Sequence, residues 1–337
     1  MPDTNPAELG PLGDPTQCHE PIDVAGLPAA EATAMLEAMM RIRAAEERIS
    51  DAATAGEVRC PCHLAIGQEA VAVGVARHVQ DGDRVFGAHR SHGHYLALGG
   101  SMGSLFAEVL GRETGCSRGM GGSMHLRDIE NNFWGSVPIV GATIPIAVGA
   151  ALAAQMDGGT ALAVSFFGDG ATEEGAFHEA MNLAAVKKLP VVFVCEHNLF
   201  SSHLHVSLRQ PADSTCRYAV AHCLPWRRVD GNDAPAVAEA MAEAAEHART
   251  GNGPFYLEAV TYRWRGHVGP REDLDVGVRR KDDLEMWKQR DPIGRLAAGM
   301  GVEPNWDATR EEAAASWAKA EAGVMPPSGA HLKRVFV

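Results

Sequence analysis

The spacing of hydrophobic residues along the first quarter of the chain predicts two helices. An alanine-rich stretch over residues 29–55 places Leu36, Met39 and Met40 at helical spacing, which indicates one buried face. Residues 67–79 are predicted to form a second, buried helix.

The two ends of the chain differ in composition from the middle. Residues 1–28 are rich in proline, glycine and acidic residues, so we expect a loose N-terminal arm. Residues 29–337 are predicted to form one α/β domain, because no long low-complexity linker divides them. The tail from residue 282 onward has a mostly helical pattern, which predicts a C-terminal helical extension.

Short apolar runs that alternate with helical spacing predict a parallel sheet in the middle of the chain. An apolar run at 161–167 is followed by helical spacing over 174–187 and by a second apolar run at 191–195. A strand–helix–strand unit of this length requires parallel strands with a right-handed crossover. A third strand is predicted at 255–262. We therefore predict an α/β fold, a doubly wound parallel sheet flanked by helices, with helical N- and C-terminal extensions.

The region from Gly87 to Gly149 is dense in glycine and rich in histidine. A stretch of this length without clear periodicity is typical of a functional loop region. At its end, residues 142–155 have the small side chains and spacing of a helix.

Composition excludes several classes of partner and site. The 337 residues carry a formal net charge of −13, which argues against nucleic acid as the main partner. No uninterrupted apolar run reaches about 18 residues, so we expect no membrane span. The seven cysteines form no disulfide framework, and Cys60, Cys62 and His63 lack the second ligand pair of a structural zinc site. The acidic N-terminal segment does not resemble a targeting peptide, so we expect a cytoplasmic protein.

Two oxygen-bearing side chains follow the two strands of the predicted strand–helix–strand unit. Asp169 follows the first strand and Asn198 follows the second. Ligands of open parallel sheets bind beyond the carboxyl ends of the strands, so these side chains converge if the strands are neighbours. A carboxylate and an amide oxygen suit magnesium or calcium, and phosphate and water oxygens can complete the coordination. The pair therefore indicates half of a metal–diphosphate site.

Two other interpretations of the turn at 168–170 remain open. Gly-Asp-Gly can simply cap a helix, with Asn198 in an ordinary loop. The same turn can also belong to a nicotinamide-dependent oxidoreductase. However, the third glycine of the dinucleotide motif is missing, and Asp169 would repel a pyrophosphate that no metal shields.

Several motifs in the same order resemble one family. Gly-Asp-Gly-Ala-Thr-Glu-Glu-Gly (168–175), together with Glu-His-Asn (196–198), resembles the thiamine-diphosphate motif. From about residue 33 to 296, the chain resembles the alpha subunit of the first component of 2-oxoacid dehydrogenases, including the acetoin dehydrogenases. Further matching stretches are residues 63–64, 67–70, 89–93, 121–125, 138–145, 262–267 and 291–293. The resemblance implies the thiamin diphosphate-binding fold.

The resemblance implies a metal and a diphosphate site. Asp169 and Asn198 would bind Mg²⁺, and the backbone carbonyl of Phe200 would be the third protein ligand. The residues that would lie against the diphosphate are Gly168, Gly170 and Ala171.

The resemblance also implies further contacts to the cofactor. Arg90 would pair with a phosphate, and His89 beside it would line the same site. His267 would reach the diphosphate and act as a catalytic residue that manages protons. The backbones of Pro138 and Val140 would bind the aminopyrimidine ring. Many family members have tyrosine where this chain has His89 and glycine where it has Pro138.

The remaining histidines of the glycine-rich region are less clearly assigned. His125 is predicted to face the site as a second catalytic candidate. His92 and His94 fit two interpretations, packed hydrogen-bonded imidazoles or site residues.

The resemblance finally implies what this chain would need from other proteins. In the family, a separate beta subunit supplies the glutamate that activates the cofactor, so we expect an α2β2 assembly. The implied substrate is a 2-oxo acid or acetoin, and the implied acceptor is the lipoyl group of an acyltransferase. Alternatives are a thiamine-dependent carboligase or acyl-transfer enzyme of a specialised pathway, and a non-catalytic scaffold subunit.

Overall fold

Six strands form one parallel sheet in the computed structural model, which describes residues 5–275 and 280–330. The strands of the chain are β1 (Arg84–Gly87), β2 (Phe133–Ser136), β3 (Ala163–Gly168), β4 (Val191–His197), β5 (Phe200–Ser201), β6 (Leu204–His205), β7 (Trp226–Asp230) and β8 (Phe255–Val260). The order across the sheet is β2-β1-β3-β4-β8-β7, and every neighbouring pair is parallel. The short strands β5 and β6 form a separate antiparallel pair.

Helices cover both faces of this sheet. They are α1 (Ala29–Thr54), α2 (Glu69–Ala76), α3 (His92–Ala97), α4 (Met102–Val109), α5 (Thr143–Met156), α6 (Gly175–Lys187), α7 (Cys216–Ala221), α8 (Ala234–Arg249), α9 (Arg280–Lys288), α10 (Pro292–Met300) and α11 (Asp307–Glu321). In the described residues, none of these helices combines the length and apolar character that crossing a membrane requires.

Side chains that point alternately to the two faces of the sheet form two hydrophobic cores, one on each face. In β3, Val164 and Phe166 belong to the core that α1, α2, α4 and α8 cover. Phe167, the next residue, belongs to the core on the opposite face, together with Ile144 of α5 and Phe177 of α6. Successive side chains of a strand point to opposite faces, so a strand covered on both sides is apolar throughout. The predicted doubly wound parallel sheet flanked by helices is confirmed.

Most predicted elements of the middle of the chain are present with small shifts at their ends. The predicted helices at 29–55, 142–155 and 174–187 correspond to α1, α5 and α6. The predicted helix at 67–79 is shorter and corresponds to α2. The predicted strands correspond to β3, β4 and β8. The strands β1, β2 and β7 were not predicted, because four or five residues carry too little periodicity.

The glycine-rich region differs from the expected continuous loop. Between residues 87 and 149 it contains α3, α4 and β2, which were not predicted, and the start of the predicted helix α5. The buried carboxylate of Glu108 holds the loop that follows α4. It accepts hydrogen bonds from the backbone N–H groups of Ser117, Gly119 and Gly121, at 2.7, 2.9 and 2.6 Å. One buried acceptor thus organises a segment that has no regular structure of its own.

The N-terminal arm also differs from the loose segment that we expected. Leu9 and Ile22 are buried, at 0% and 3% exposure. The backbone N–H of Ile22 donates to the carbonyl of Arg295 at 3.1 Å, and the guanidinium of Arg290 donates to the carbonyl of Leu12 at 2.9 Å. Composition could not reveal this packing, because the arm contributes backbone acceptors that any residue carries. The division into an arm and a single domain stays a prediction.

Helices α2 and α8 pack closely at a single glycine. A Cβ atom added to Gly74 of α2 would lie 2.7 Å from Val237 and 2.9 Å from the carbonyl of Ala234. Both distances are shorter than normal contacts, so the two helices could not accept a larger residue here without moving apart.

We expect Gly74→Ala to lower the free energy of unfolding by about 1–3 kcal/mol, because overpacking outweighs the gain in helix propensity. Gly149→Ala in α5 is the matched control, since no described atom lies within 4 Å of the added Cβ. The control should raise the free energy of unfolding by roughly 0.5–1 kcal/mol. Urea denaturation of both variants measures the difference, and equal effects at the two positions would contradict the close packing of α2 on α8.

Candidate functional site

The candidate metal ligands lie at the carboxyl edge of the two central strands. Gly168 at the end of β3 is paired with Glu196 of β4, so Asp169 and Asn198 follow directly at the same edge of the sheet. Both side chains are buried, Asp169 completely and Asn198 to 7% exposure. The neighbouring strands that the metal hypothesis required are therefore present.

Asp169 has one engaged and one open carboxylate oxygen. Its Oδ2 atom forms an ion pair with Arg209, whose guanidinium also pairs with Glu173. Among the described residues, its Oδ1 atom has no hydrogen-bond partner although it is buried. A buried carboxylate requires a compensating positive charge. Arg209 supplies one such charge, and the open oxygen can accept a second cation.

Asn198 and Phe200 form a tight turn beside this carboxylate. The amide nitrogen of Asn198 donates to the side-chain oxygen of Gln68 at 3.2 Å, and the side-chain oxygen of Asn198 accepts the backbone N–H of Phe200 at 3.3 Å. Leu199 between them has φ of +69°, a left-handed conformation that bulky residues rarely adopt. Strain of this kind concentrates at functional sites.

Gly170 allows the segment after β3 to approach β5. An added Cβ atom at Gly170 would lie 2.5 Å from the hydroxyl of Ser201. The adjacent Ala171 is buried, and the hydroxyl of Thr172 donates to the carbonyl of Asp169 at 2.7 Å. The turn is thus compact, and only a residue without a side chain fits at position 170.

Three imidazole rings meet beside this edge. The ring centroids of His63 lie 4.7 Å from those of His89 and 5.0 Å from those of His267. Burial, with the nearby charge of Arg90 as second cause, lowers the pKa values to about 3 for His63, about 2 for His89 and about 4 for His267. The three rings are therefore neutral at pH 7.

Two buried guanidinium groups adjoin the imidazoles. Arg90 donates to the carbonyls of Leu64 at 2.5 Å and His267 at 3.2 Å. Burial lowers the pKa of Arg90 to about 10, and burial together with the charge of Arg90 lowers the pKa of Arg263 to about 9. In the described part of the chain, the Nε and one terminal nitrogen of Arg263 have no acceptor. Unused donors next to a second cation suit an anion.

The three imidazoles could geometrically hold a metal ion, because their candidate ligand atoms lie within 4.8 Å of one another. The two arginines make that assignment unfavourable. A cation placed between the rings would be repelled by Arg90 and Arg263, whereas an anion would be attracted by them. We therefore interpret the cluster as the anion-binding half of the site.

The segment with Pro138 and Val140 lies near the other side of the Asp169 turn. An added Cβ atom at Gly141 would lie 3.2 Å from the side chain of Glu174, which precedes α6. Val140 itself is 47% exposed, and Pro138 is partly buried. Their backbone groups are therefore near the turn without being covered by this chain.

The other predicted histidines are placed differently. His125 is exposed, contacts the carbonyl of Gly121 at 3.3 Å, and lines a separate cavity of about 430 Å³. It does not belong to the three clustered imidazoles. The buried His92 bonds Glu46 at 2.9 Å and Ser123 at 2.8 Å.

His92 and His94 both have the packed, hydrogen-bonded arrangement of the first interpretation. Burial opposes charging of His92, but the carboxylate of Glu46 outweighs it and raises the pKa. His94 stacks on Phe166 with ring centroids 3.9 Å apart, and its Nε2 atom bonds Glu196 at 3.1 Å.

Three residues of the site were not assigned from the sequence. His63 and Arg263 lie within motifs that the sequence shares with the family, but no role was carried over to them. Arg209 lies outside those motifs, and its pairing with Asp169 depends on the path of the chain after β6. A buried arginine cannot be recognised from sequence spacing alone.

Acid should destabilise this site through its neutral histidines. An unfolded histidine titrates near pH 6.5, whereas His63 titrates near 3 in the folded chain. The unfolded state therefore binds the proton first as the pH falls, so stability is lost between about pH 6.5 and pH 3. In His63→Gln, the free energy of unfolding should depend less steeply on pH, by up to about 1.4 kcal/mol per pH unit. Urea denaturation from about pH 4.5 to 7 tests this, and identical slopes in both proteins would refute it.

Comparisons with known proteins show the family of this chain. A family model described as the dehydrogenase E1 component matches residues 37–324. The alpha subunit of the acetoin:2,6-dichlorophenolindophenol oxidoreductase of Bacillus subtilis (strain 168) is 42% identical over 259 residues, 77% of each chain. The pyruvate dehydrogenase E1 component subunit alpha of Rhizobium meliloti (strain 1021) is 38% identical over 275 residues, 81% of this chain and 78% of that one.

A human relative is similar over a shorter range. The somatic, mitochondrial form of the pyruvate dehydrogenase E1 component subunit alpha is 39% identical over 237 residues, 70% of this chain and 59% of that one. The family match covers the sheet, the Asp169 turn and the histidine cluster together. This chain therefore belongs to the dehydrogenase E1 component family.

Proposed function

We propose that this chain is the alpha-type subunit of a dehydrogenase that acts on a 2-oxo acid or an acetoin-like substrate, and that it binds the diphosphate end of the cofactor. Membership of the dehydrogenase E1 component family makes the enzyme a 2-oxoacid dehydrogenase and implies thiamine diphosphate as cofactor. A magnesium ion would join the diphosphate to the protein. Asp169, Asn198 and the backbone carbonyl of Phe200 would be its protein ligands.

The open oxygen of Asp169 carries this proposal. A fully buried carboxylate oxygen without a partner is costly unless a cation binds it. Magnesium uses few protein ligands, prefers oxygen and completes its octahedron with phosphate and water. The adjoining amide of Asn198 and the turn to Phe200 offer further oxygens at the same edge of the sheet. These donors fit a small, hard divalent cation.

The cationic cluster supports a diphosphate as the second partner. A diphosphate bound to one magnesium ion keeps negative charge that the protein has to balance. Arg90 and Arg263 supply positive charge, and Arg263 has donors without acceptors in the described residues. The neutral imidazoles of His89 and His267 can each donate an N–H to a phosphate oxygen. On the other side, Gly168, Gly170 and Ala171 would let the backbone approach the phosphates.

Thiamine diphosphate, when bound, supplies a carbanion that attacks the substrate carbonyl and then serves as an electron sink. The residues of this chain bind and orient the cofactor. Pro138 and Val140 would offer backbone groups to the aminopyrimidine. His267, with its pKa lowered to about 4, is neutral at pH 7 and can donate or accept a hydrogen bond at the cofactor. His125 stays a catalytic candidate that the contacts described above do not support.

Exposed apolar side chains on the segment before α5 and on α5 and α6 support a partner subunit. Ile139 is 69% exposed, Ile146 of α5 is 52% exposed, and Val186 of α6 is 71% exposed. They lie on the segment before α5 and on two helices that pack together. Apolar surface of this kind marks protein interfaces. Names of the relatives include "subunit alpha", which implies a beta-type partner. In our proposal, this partner covers the cofactor, contributes the activating glutamate and forms an α2β2 assembly.

The acyl acceptor would be a lipoyl group carried by an acyltransferase. A carboligase or acyl-transfer enzyme of a specialised pathway uses the same cofactor site and is the alternative within this class. A scaffold subunit without catalysis is a second alternative. In the described residues, the open Asp169 oxygen and the Arg263 donors without acceptors oppose it, because buried charged groups of this kind are costly without a bound ligand.

Replacing Asp169 should abolish metal-dependent binding of thiamine diphosphate. Asp169→Asn keeps the size of the side chain but removes its charge. We expect calorimetry on the chain co-purified with its beta-type subunit to give an affinity at least about 10- to 100-fold weaker in the presence of magnesium. Asp157→Asn at the exposed end of α5 is the matched control and should bind normally.

Two results would contradict the proposal. Unchanged, magnesium-dependent affinity in Asp169→Asn would remove Asp169 from the metal site. Binding of NAD in place of thiamine diphosphate would favour the nicotinamide enzyme, and no binding of either would favour the scaffold.

The purified chain alone should show negligible turnover, because the glutamate that activates the cofactor belongs to the partner in our proposal. Decarboxylation of pyruvate and cleavage of acetoin are measured with an artificial electron acceptor. Adding the beta-type subunit should increase the rate at least about 100-fold, the usual contribution of a general acid–base group. Full activity of the lone chain would overturn the proposed division of labour.

A further inference from the structure

Two cysteines form a close pair in the segment that connects α1 to α2. The Sγ atoms of Cys60 and Cys62 lie 4.0 Å apart, with one proline between the residues. A disulfide requires about 2 Å between the sulfurs, so closing it would draw the two residues together and shift the short segment that carries them. The family role proposed above makes no use of this pair.

The two sulfurs differ in access. Cys60 is partly exposed and lines a cavity of about 570 Å³ together with Arg59, Arg112 and Met120. Cys62 is buried at 2% exposure behind it. A small oxidant that enters the cavity would therefore meet Cys60 first, and Cys62 could then react with the product.

The surroundings favour the thiolate of Cys60. The contact with the Cys62 sulfur is the main cause that lowers the pKa of Cys60 to about 6, against the opposing effect of burial. The backbone N–H of Ser123 and the charge of His92 act in the same direction. The same contact raises the pKa of Cys62, so Cys62 keeps its proton. One sulfur is thus a nucleophile and the other a proton donor.

We propose that Cys60 and Cys62 form a thiol-oxidation site that a hydroperoxide converts into a disulfide. The Cys60 thiolate attacks a peroxide oxygen, the O–O bond breaks, and Cys60 becomes a sulfenic acid while the other oxygen leaves as water or an alcohol. The Cys62 sulfur then attacks the Cys60 sulfur, the S–O bond breaks, and the hydroxide leaves as water with the Cys62 proton. Two thiols and one hydroperoxide yield one disulfide and two hydroxylic products.

Closing the disulfide would pull on the anion site, a consequence that rests on the proposed function. His63 follows Cys62 directly and belongs to the imidazole cluster. The carbonyl of Leu64 accepts a hydrogen bond from the guanidinium of Arg90. A shift of residues 60–64 therefore moves one ring of the cluster and one acceptor of Arg90.

Peptide mass analysis tests the oxidation itself without any cofactor. The full chain is reduced, treated with hydrogen peroxide at pH 7, unfolded, alkylated and digested with trypsin, which places both sulfurs on the peptide of residues 60–77. We expect this peptide to lose two hydrogens and to resist alkylation until dithiothreitol is added. Cys223, an exposed cysteine far from this pair in sequence, is the internal control and should react roughly tenfold more slowly.

Variants separate the two steps. In Cys62→Ser, Cys60 should stop at the sulfenic acid, which dimedone traps. In Cys60→Ser, Cys62 should remain reduced. The proposal is overturned if peptide 60–77 stays reduced at a peroxide dose that oxidises Cys223, or if Cys60 pairs with any other cysteine.

Amide hydrogen exchange tests the coupling to the anion site. In the oxidised chain, exchange over residues 88–92 should be at least about threefold faster than in the reduced chain. The Cys60→Ser variant should not respond to peroxide. Unchanged exchange around Arg90 in a chain that carries the disulfide would overturn the coupling, whether or not the chain binds thiamine diphosphate.

Discussion

The carboxylate of Asp169 imposes the main electrostatic constraint on this molecule. It is fully buried at the end of β3, and one of its oxygens lacks a partner in the described residues. A charge in such a place is stable only beside an opposite charge. Arg209, in the loop after β6, supplies one opposite charge. The glycine at 170 lets the turn after β3 approach Ser201 of β5, so this carboxylate and the turn that contains the strained Leu199 lie at the same edge of the sheet.

The site separates charge into two halves. Oxygen donors lie at the ends of β3 and β4, and the cationic cluster of Arg90, Arg263 and three neutral imidazoles adjoins the segment after β4, where Arg263 donates to the carbonyl of Ser202 and lies over the ring of Phe200. A ligand that fits both halves has a positive part and a larger negative part, as a metal–diphosphate has. Burial is the main cause of the low pKa values of the imidazoles, and the nearby charge of Arg90 lowers them further.

Sequence patterns predicted the part of this structure that depends on periodicity and order. The βαβ unit around Asp169 could be predicted because β3, α6 and β4 are long enough to show their period, and because ligands gather at the carboxyl ends of parallel strands. The shortest strands were missed, and the glycine-rich region was interpreted as continuous loop. Arg209 and the burial of Leu9 were also beyond prediction, because each depends on contacts between residues that are distant in the chain. Asp169 and Asn198 were predicted from their positions after the two strands, whereas Phe200 and the cofactor contacts came from the resemblance to a family.

The buried N-terminal arm is hydrogen-bonded to two arginines near the C-terminal end of the chain. Arg295 donates to the carbonyl of Glu20 at 2.9 Å, and its terminal nitrogen pairs with Asp230 at 2.8 Å. Arg290 is fully buried and donates a hydrogen bond to the carbonyl of Leu12. In a shortened chain that starts at α1, both guanidinium groups would each lose one hydrogen-bond acceptor at a buried position. Carbonyl groups of the N-terminal arm thus accept hydrogen bonds from arginines that lie almost three hundred residues later in the sequence. The beginning of the chain therefore helps to hold α10 in place.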